Sequence, residues 1–481
     1  MDYQSAILPA NIGWILLAFF SVVWVILGLY WGKKSKDLAG YMVAGRNVGL
    51  ALGTATAMAT WVTSNTVMLA PQFAIQFGIW GMLAYSTASF GLFLFAPMAR
   101  RIRHLMPNGY TSGDFIRLRY GRATWGVFLV VTIFYSLTWL ISMAMAGGIV
   151  LTTIAGIPYL YGMSIILLVC VIYTLFGGLY AVIGTDFIQS LLILLGVVVV
   201  GTAMLVKLDL SNVYHTIATE QPALLNVLLP ASLMVVFNNL LFGFGEIFHN
   251  NVWWSRAFAM RKGVGTKAYL LAGFCWLPIP VAAGFFSFGT NLLGINVVSP
   301  DMVGPLIATQ VLGFFGAIVI FIVVFSSLAS SIDSLLAATS DILTEDIFHK
   351  IFYPNASAVT LRKAAALFVI VLGLFAWMAS LPRIGTLMDV LLFAGPMVAS
   401  TIWPIAAGLY WKKTNRFGAL LALVIGSVGG LVAYFLIGSF VAALVGATLS
   451  MLTVLLSTWI APQDFNWEQL NEKPVRQSAS S

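Results

Sequence analysis

Charged residues are so sparse and so grouped along this chain that they fix what it can fold into. No Asp, Glu, Lys or Arg occurs in residues 47–99, 123–185 or 187–206. Further charge-free stretches run 221–245, 268–300, 302–332, 364–382, 390–411 and 417–463. Charged residues make up 8% of the chain, against about 25% in a soluble globular protein. The expected fold class is an all-α polytopic membrane protein. The runs are continuously apolar, which excludes a β-barrel, whose strands alternate. A crossing helix takes about 20 residues, so the longer runs hold two spans each, split at Gly or Pro turns. The predicted spans are 9–31, 49–70, 78–99, 124–151, 157–176, 182–206, 229–250, 268–289, 308–343, 361–381, 386–410, 417–437 and 440–460, thirteen in all.

Basic residues orient these spans. With the N-terminus outside and the C-terminus cytoplasmic, every one of the 24 Lys and Arg except Lys207 and Arg383 falls on the inner side, as the positive-inside rule requires. Arg256, Arg261, Lys262 and Lys267 form one such inner loop. The net charge of +8 is thus topological, and no nucleic-acid partner is expected. The expected location is a bacterial inner (plasma) membrane. The link 106–122 has helix-like periodicity, and Thr111 or Ser112 can cap a short interfacial helix there. Cys170 and Cys275 lie in apolar runs and read as packing residues. The first apolar segment lacks preceding basic residues and a small-residue cleavage site, and reads as a retained helix. The polar end, 463–481, reads as a cytoplasmic tail. No metal-ligand cluster, phosphate loop or nucleophile–base pair is found, so an enzyme is not expected.

Polar residues inside apolar runs carry the functional signal, because lipid penalises them unless they face a partner, a cavity or an ion. In VFSSLASSIDSLLAATSDILTE, Ser327, Ser330, Ser331 and Ser334 fall on one helical stripe, flanked by Asp333. Hydroxyl, carbonyl and carboxylate oxygens suit a hard cation of sodium size. The competing reading is close helix packing with hydroxyls bonded back to the preceding turn. Two spans look interrupted. The second gathers Thr54, Thr56, Thr60, Thr63, Ser64, Asn65 and Thr66 at its middle, and the seventh has Gly243 and Gly245 beside Glu246. Broken helices five spans apart point to an inverted-repeat transporter. Asp186, Glu246 and Asp333 lie at depth with no Lys or Arg expected there, so each is protonated or faces a bound cation or water. Among the deep aromatics, Trp61 in the break stands out.

These residues resemble the sodium:solute symporter family. SSIDSLLAATSDILTEDIF is similar to its signature helix, and GGLYAVIGTDFIQ to its G-G-x-x-A-V-x-x-T-D-x-x-Q motif. The likeness runs over 38–411. It implies a LeuT-like core of two inverted five-helix repeats, 49–206 and 229–410, with one extra helix before (9–31) and two after (417–460). It also implies a sodium site made by carbonyls of Ala59, Val62 and Ser327 and hydroxyls of Ser330 and Ser331. Some members hold a second cation, which maps to Asp186, Ser330 and Ser334; Asp333 is an additional carboxylate here. Within the family, ATWVTSNTV, FGIWG, VWWSRAFA and KAYLLAGFCWLPIP look most like urea-active transporters. Two positions depart from that likeness. Asn250 stands where an acid is usual, and Glu246 where a small hydroxyl residue is expected.

The expectation is sodium-coupled symport of a small polar nitrogenous solute, urea-like first, by alternating access. A cationic or zwitterionic solute (choline, polyamine, guanidino compound, amino acid) is the alternative, and an uncoupled channel-like facilitator the alternative of another class. The solute is placed near Trp61, Thr63, Thr66, Tyr85, Trp139 and Glu246. The expected partners are that solute, sodium and the lipid bilayer, with one chain as the working unit.

Overall fold

A computed structural model describes residues 8–207, 209–290, 293–295, 300–383, 385 and 387–471. Of the expected tail, 472–481 lie outside the described residues. The main helices are α1 (Ala10–Gly32), α2 (Leu50–Trp61), α3 (Ser64–Ser86), α4 (Ser89–Leu105), α5 (Ser112–Tyr120), α6 (Arg122–Ala155), α7 (Tyr159–Lys207), α8 (Pro230–His249) and α9 (Asn251–Ala259). They continue with α10 (Val264–Ser287), α11 (Val303–Asp341), α12 (Ala358–Ser380), α13 (Leu387–Tyr410), α14 (Arg416–Leu436) and α15 (Ser439–Ile460).

Eleven helices among the described residues are long and apolar enough to cross a membrane. Three of these stretches, at 40, 49 and 50 residues, far exceed one crossing, which takes about 20. The longest, Val303–Phe352, is interrupted at Gly313, φ +60°, and the other two fold back on themselves. In α7, Tyr173 and Thr185 both reach Asp333, at 2.7 and 3.4 Å, although a straight helix would set them about 18 Å apart. The reversal is at Gly178, whose φ of +53° is open to glycine and strained for other residues. In α3, the rings of Phe73 and Tyr85 lie 6.0 Å apart because the chain turns at Gly78, φ +67°.

The outer helices pack through small residues, as membrane helices do. A Cβ on Gly28 would lie 2.4 Å from that of Tyr173, and Gly32 faces the backbone of Gly177, which seats α1 on α7. The link 106–122 contains α5, capped by Thr111 with a reciprocal bond to Asp114.

Two expectations need correction. The interruption of the seventh span is not at Gly243–Glu246. The helix α8 runs through them and ends at His249, and the break is the extended Asn250, whose side chain caps α9. The glycines serve close packing instead. A Cβ on Gly243 would sit 2.6 Å from Ala88 Cα, and one on Gly245 would sit 2.4 Å from the Val398 carbonyl oxygen. Nor is Arg256 a loop residue. It lies on α9, fully buried, so a basic residue does meet the interior acids.

Candidate functional site: two breaks around a hydroxyl stripe

The helix α2 stops at Trp61, Val62 leaves helical geometry at ψ 80°, and Thr63 starts α3 in extended geometry. Thr63 and Thr66 form a capping box: the Thr63 N–H donates to Thr66 Oγ1 and the Thr66 N–H to Thr63 Oγ1, both at 3.2 Å. In an unbroken helix those two N–H groups would serve the carbonyls of Ala59 and Val62. The cap therefore releases two main-chain acceptors at a buried position. Facing them is α11, where Ser331 donates to the Thr60 carbonyl at 3.3 Å and to the Ser327 carbonyl at 2.9 Å. The structure thus brings Ala59 and Val62 on one side, and Ser327 and Ser331 on the other, to the same helix crossing. Ser330 points elsewhere, donating to Asp186. Oxygen atoms of this kind suit a small hard cation.

The second predicted cluster contains its own positive charge. Arg256 pairs with Asp186 at 3.3 Å, both side chains fully buried. Its Nη2 also donates to Thr60 Oγ1 (2.7 Å) and Ser334 Oγ (2.6 Å), and its Nε to Thr56 Oγ1 (2.9 Å). Asp333 turns to Tyr173 and Thr185 on the two arms of α7. Asp186, Ser330 and Ser334 therefore come together around a guanidinium, while Asp333 is held at the edge of the cluster. This is the reverse of an interior without a basic partner. A buried carboxylate is stable when paired and hydrogen-bonded, and α9 supplies that pair.

A small cavity, with about 30 Å³ open to water-sized groups, lies beside the first break. Trp61, Thr63, Tyr85 and Trp139 line it, as the sequence suggested. Thr66 does not; its hydroxyl accepts from Thr63 and donates to the Trp61 carbonyl, holding the break. Glu246 does not either. It accepts from the Trp253 indole at 3.1 and 3.2 Å and from Asn250 at 3.5 Å, which ties α8 to α9 across the second break. Tyr135, Asn239 and Phe242 add to the polar and aromatic wall, and Met388, Leu391 and Leu392 of α13 to the apolar one. Of these, Tyr135 stood out in the sequence only as one of the deep aromatics, and the others did not stand out. Asn239 was legible as an amide in an apolar run, but nothing in the sequence marks the α13 residues. The ring of Trp61 sits among Trp139, Trp253 and Trp276 at 6.0, 5.3 and 5.7 Å. Its buried indole N–H has no hydrogen-bond partner among the described residues.

The model of the Sodium:solute symporter family matches residues 41–426. The chain belongs to the sodium:solute symporter family. Its members are transporters, not enzymes. The osmoregulated proline transporter of Bacillus subtilis is 27% identical over 86% of this chain and 87% of its own length. The urea-proton symporter of Oryza sativa is 26% identical over 81% of this chain, which spans only 59% of that relative. A Na+-coupled sialic acid symporter of solved structure covers 94% of this chain and 99% of its own, with a TM-score of 0.79 at 17% identity. That likeness establishes a common fold. The chain is accordingly an all-helical, multi-pass membrane transporter of the sodium:solute symporter family.

Proposed function

We propose that this sodium:solute symporter carries a small polar solute of no net charge, urea-like in the first instance, together with sodium by alternating access. The observation that carries the reading is the Thr60–Ser331 contact at 3.3 Å, which sets the released carbonyls of Ala59 and Val62 against the hydroxyl stripe of α11. The ligands proposed for sodium are those carbonyls, the Ser327 carbonyl and the Ser331 hydroxyl, while the Ser330 hydroxyl is given to Asp186. An ion there ties α2 to α11, and Trp61, which stands between Ala59 and Val62, carries that closure to the cavity wall. Coupling of this kind amounts to about 1–3 kcal/mol between the two ligands.

No charged residue is among those lining the cavity, which favours a neutral or zwitterionic solute over choline or a polyamine. The unpaired Trp61 indole N–H and the Thr63 hydroxyl suit a carbonyl or carboxylate oxygen. The relatives named for urea and for proline fit this class equally. Counting the arms on either side of Gly78 and Gly178 as separate crossings gives thirteen spans. Their arrangement is proposed as two inverted five-helix repeats, with α1 before and α14 and α15 after. The N-terminus is then outside, the C-terminus in the cytoplasm, and a single chain the transporting unit.

Uptake by the full-length protein in proteoliposomes tests this. Labelled urea and proline, with choline and putrescine as controls, are offered with and without an inward sodium gradient. Accumulation of urea or proline above equilibrium only with the gradient is expected. Equal flux without it indicates a facilitator, and uptake of choline alone contradicts the solute class.

A further inference from the structure

The guanidinium of Arg256 occupies the place where the sequence motifs put a second coupling ion, and it satisfies the ligands such an ion would need. Four hydroxyls and one carboxylate converge there. Thr56, Thr60 and Ser334 accept from Arg256 at 2.6–2.9 Å, and Ser330 donates to the second oxygen of Asp186. The remaining Nη1 is fixed on the Val252 carbonyl at 3.0 Å. Every one of these side chains is fully buried: Thr56, Thr60, Asp186, Arg256, Ser330 and Ser334 are all 0% exposed. A sodium ion asks the same of a site: oxygen ligands and one compensating negative charge. Asp186 offers that charge once, and Arg256 takes it at 3.3 Å. Arginine does not release its proton in proteins, so the positive charge is permanent. It is also tethered. Arg256 stands on α9, six residues past the break at Asn250, and binds α2, α7 and α11 together.

We infer that Arg256 is a built-in cation that replaces a second transported ion, so this chain binds and carries a single sodium. The inference rests on the sodium-coupled reading above. It makes Arg256 a positioning residue: the helices that a second sodium would draw together are held by a charge that never leaves the protein.

The number of sodium ions bound per chain tests it, measured with radiolabelled sodium at saturation on the purified full-length protein in detergent. One ion is expected for the wild type. Two are expected for Arg256→Ala, whose vacated oxygens and unpaired Asp186 admit a second ion, and one again for Asp186→Asn/Arg256→Ala. Two ions on the wild type overturn the inference, as does one ion on a monodisperse Arg256→Ala protein. If Arg256→Ala fails to fold, Arg256→Lys keeps a tethered charge and is expected to bind one ion; two would overturn the inference. A wild type that binds none sinks the sodium-coupled reading separately. In that case an Asp186-dependent ion in Arg256→Ala still supports the inference, and its absence overturns it.

Discussion

Asp186 and Arg256 are each tolerable in the interior only because of the other. Removing one partner of a buried pair typically costs about 3–5 kcal/mol, because the survivor is left uncompensated. Asp186→Asn is therefore expected to lower the thermal unfolding temperature of the detergent-solubilised protein sharply, and Asp186→Asn/Arg256→Gln to restore most of it. A double variant no more stable than the single one contradicts the pairing. Glu246 makes a different point. It bonds Trp253 rather than lining the cavity, so Glu246→Gln, which keeps an acceptor for the indole, is expected to change solute affinity by less than about threefold. A larger loss in a binding or uptake assay would return Glu246 to the solute. The hydroxyl stripe was legible in the sequence because serines are conspicuous in an apolar run. Arg256 was not. It lies five residues before Arg261 and reads as part of the same basic loop until the turn at Asn250 carries α9 back into the protein.

The helices themselves follow from where charges are absent, and the expected span limits fall within a few residues of most observed ends. What the sequence leaves ambiguous is the meaning of glycine. Gly178 and Gly78 reverse the chain, whereas Gly243 and Gly245 lie in an unbroken helix and admit a close neighbour. Composition does not separate these uses, because one depends on φ and the other on the packing partner. The difference is testable. At Gly178 an alanine needs an unfavourable positive φ, which costs about 1–3 kcal/mol, and its Cβ would lie 2.5 Å from the Tyr41 carbonyl oxygen. Gly178→Ala is expected to reduce both the yield of folded protein and its unfolding temperature. Wild-type stability would contradict a reversal at this residue.

Across the whole molecule, the first break lies beside both the cavity and the α2–α11 crossing, and α5 fastens the end of the bundle that carries the 106–122 link. There Lys350 binds Asp114 and, at 2.7 Å, Asp346. Burial acts to raise the Asp114 carboxyl, but the Lys350 ammonium and the N–H groups of Tyr110 and Thr111 outweigh it and hold the group below the ordinary carboxylate value. A group depressed in the folded state stabilises it above the unfolded value, about 3.9, and that contribution is lost as pH falls through the folded value. Thermal unfolding should therefore show no loss from this group between pH 8 and pH 5, a fall below about pH 4, and a shallower acid limb in Asp114→Asn. An unchanged acid limb in that variant would contradict the assignment. The central claim is that a sodium ion at the Ala59–Ser331 crossing is felt at Trp61. Its most direct measurement is a tryptophan-fluorescence titration of the purified protein with sodium at constant ionic strength. The account predicts a saturable change that potassium does not produce, that Trp61→Phe abolishes, and that Ser331→Ala shifts to about tenfold higher sodium, the loss of about 1.4 kcal/mol. An identical response to potassium, or a Ser331→Ala curve superimposed on the wild type, would contradict it.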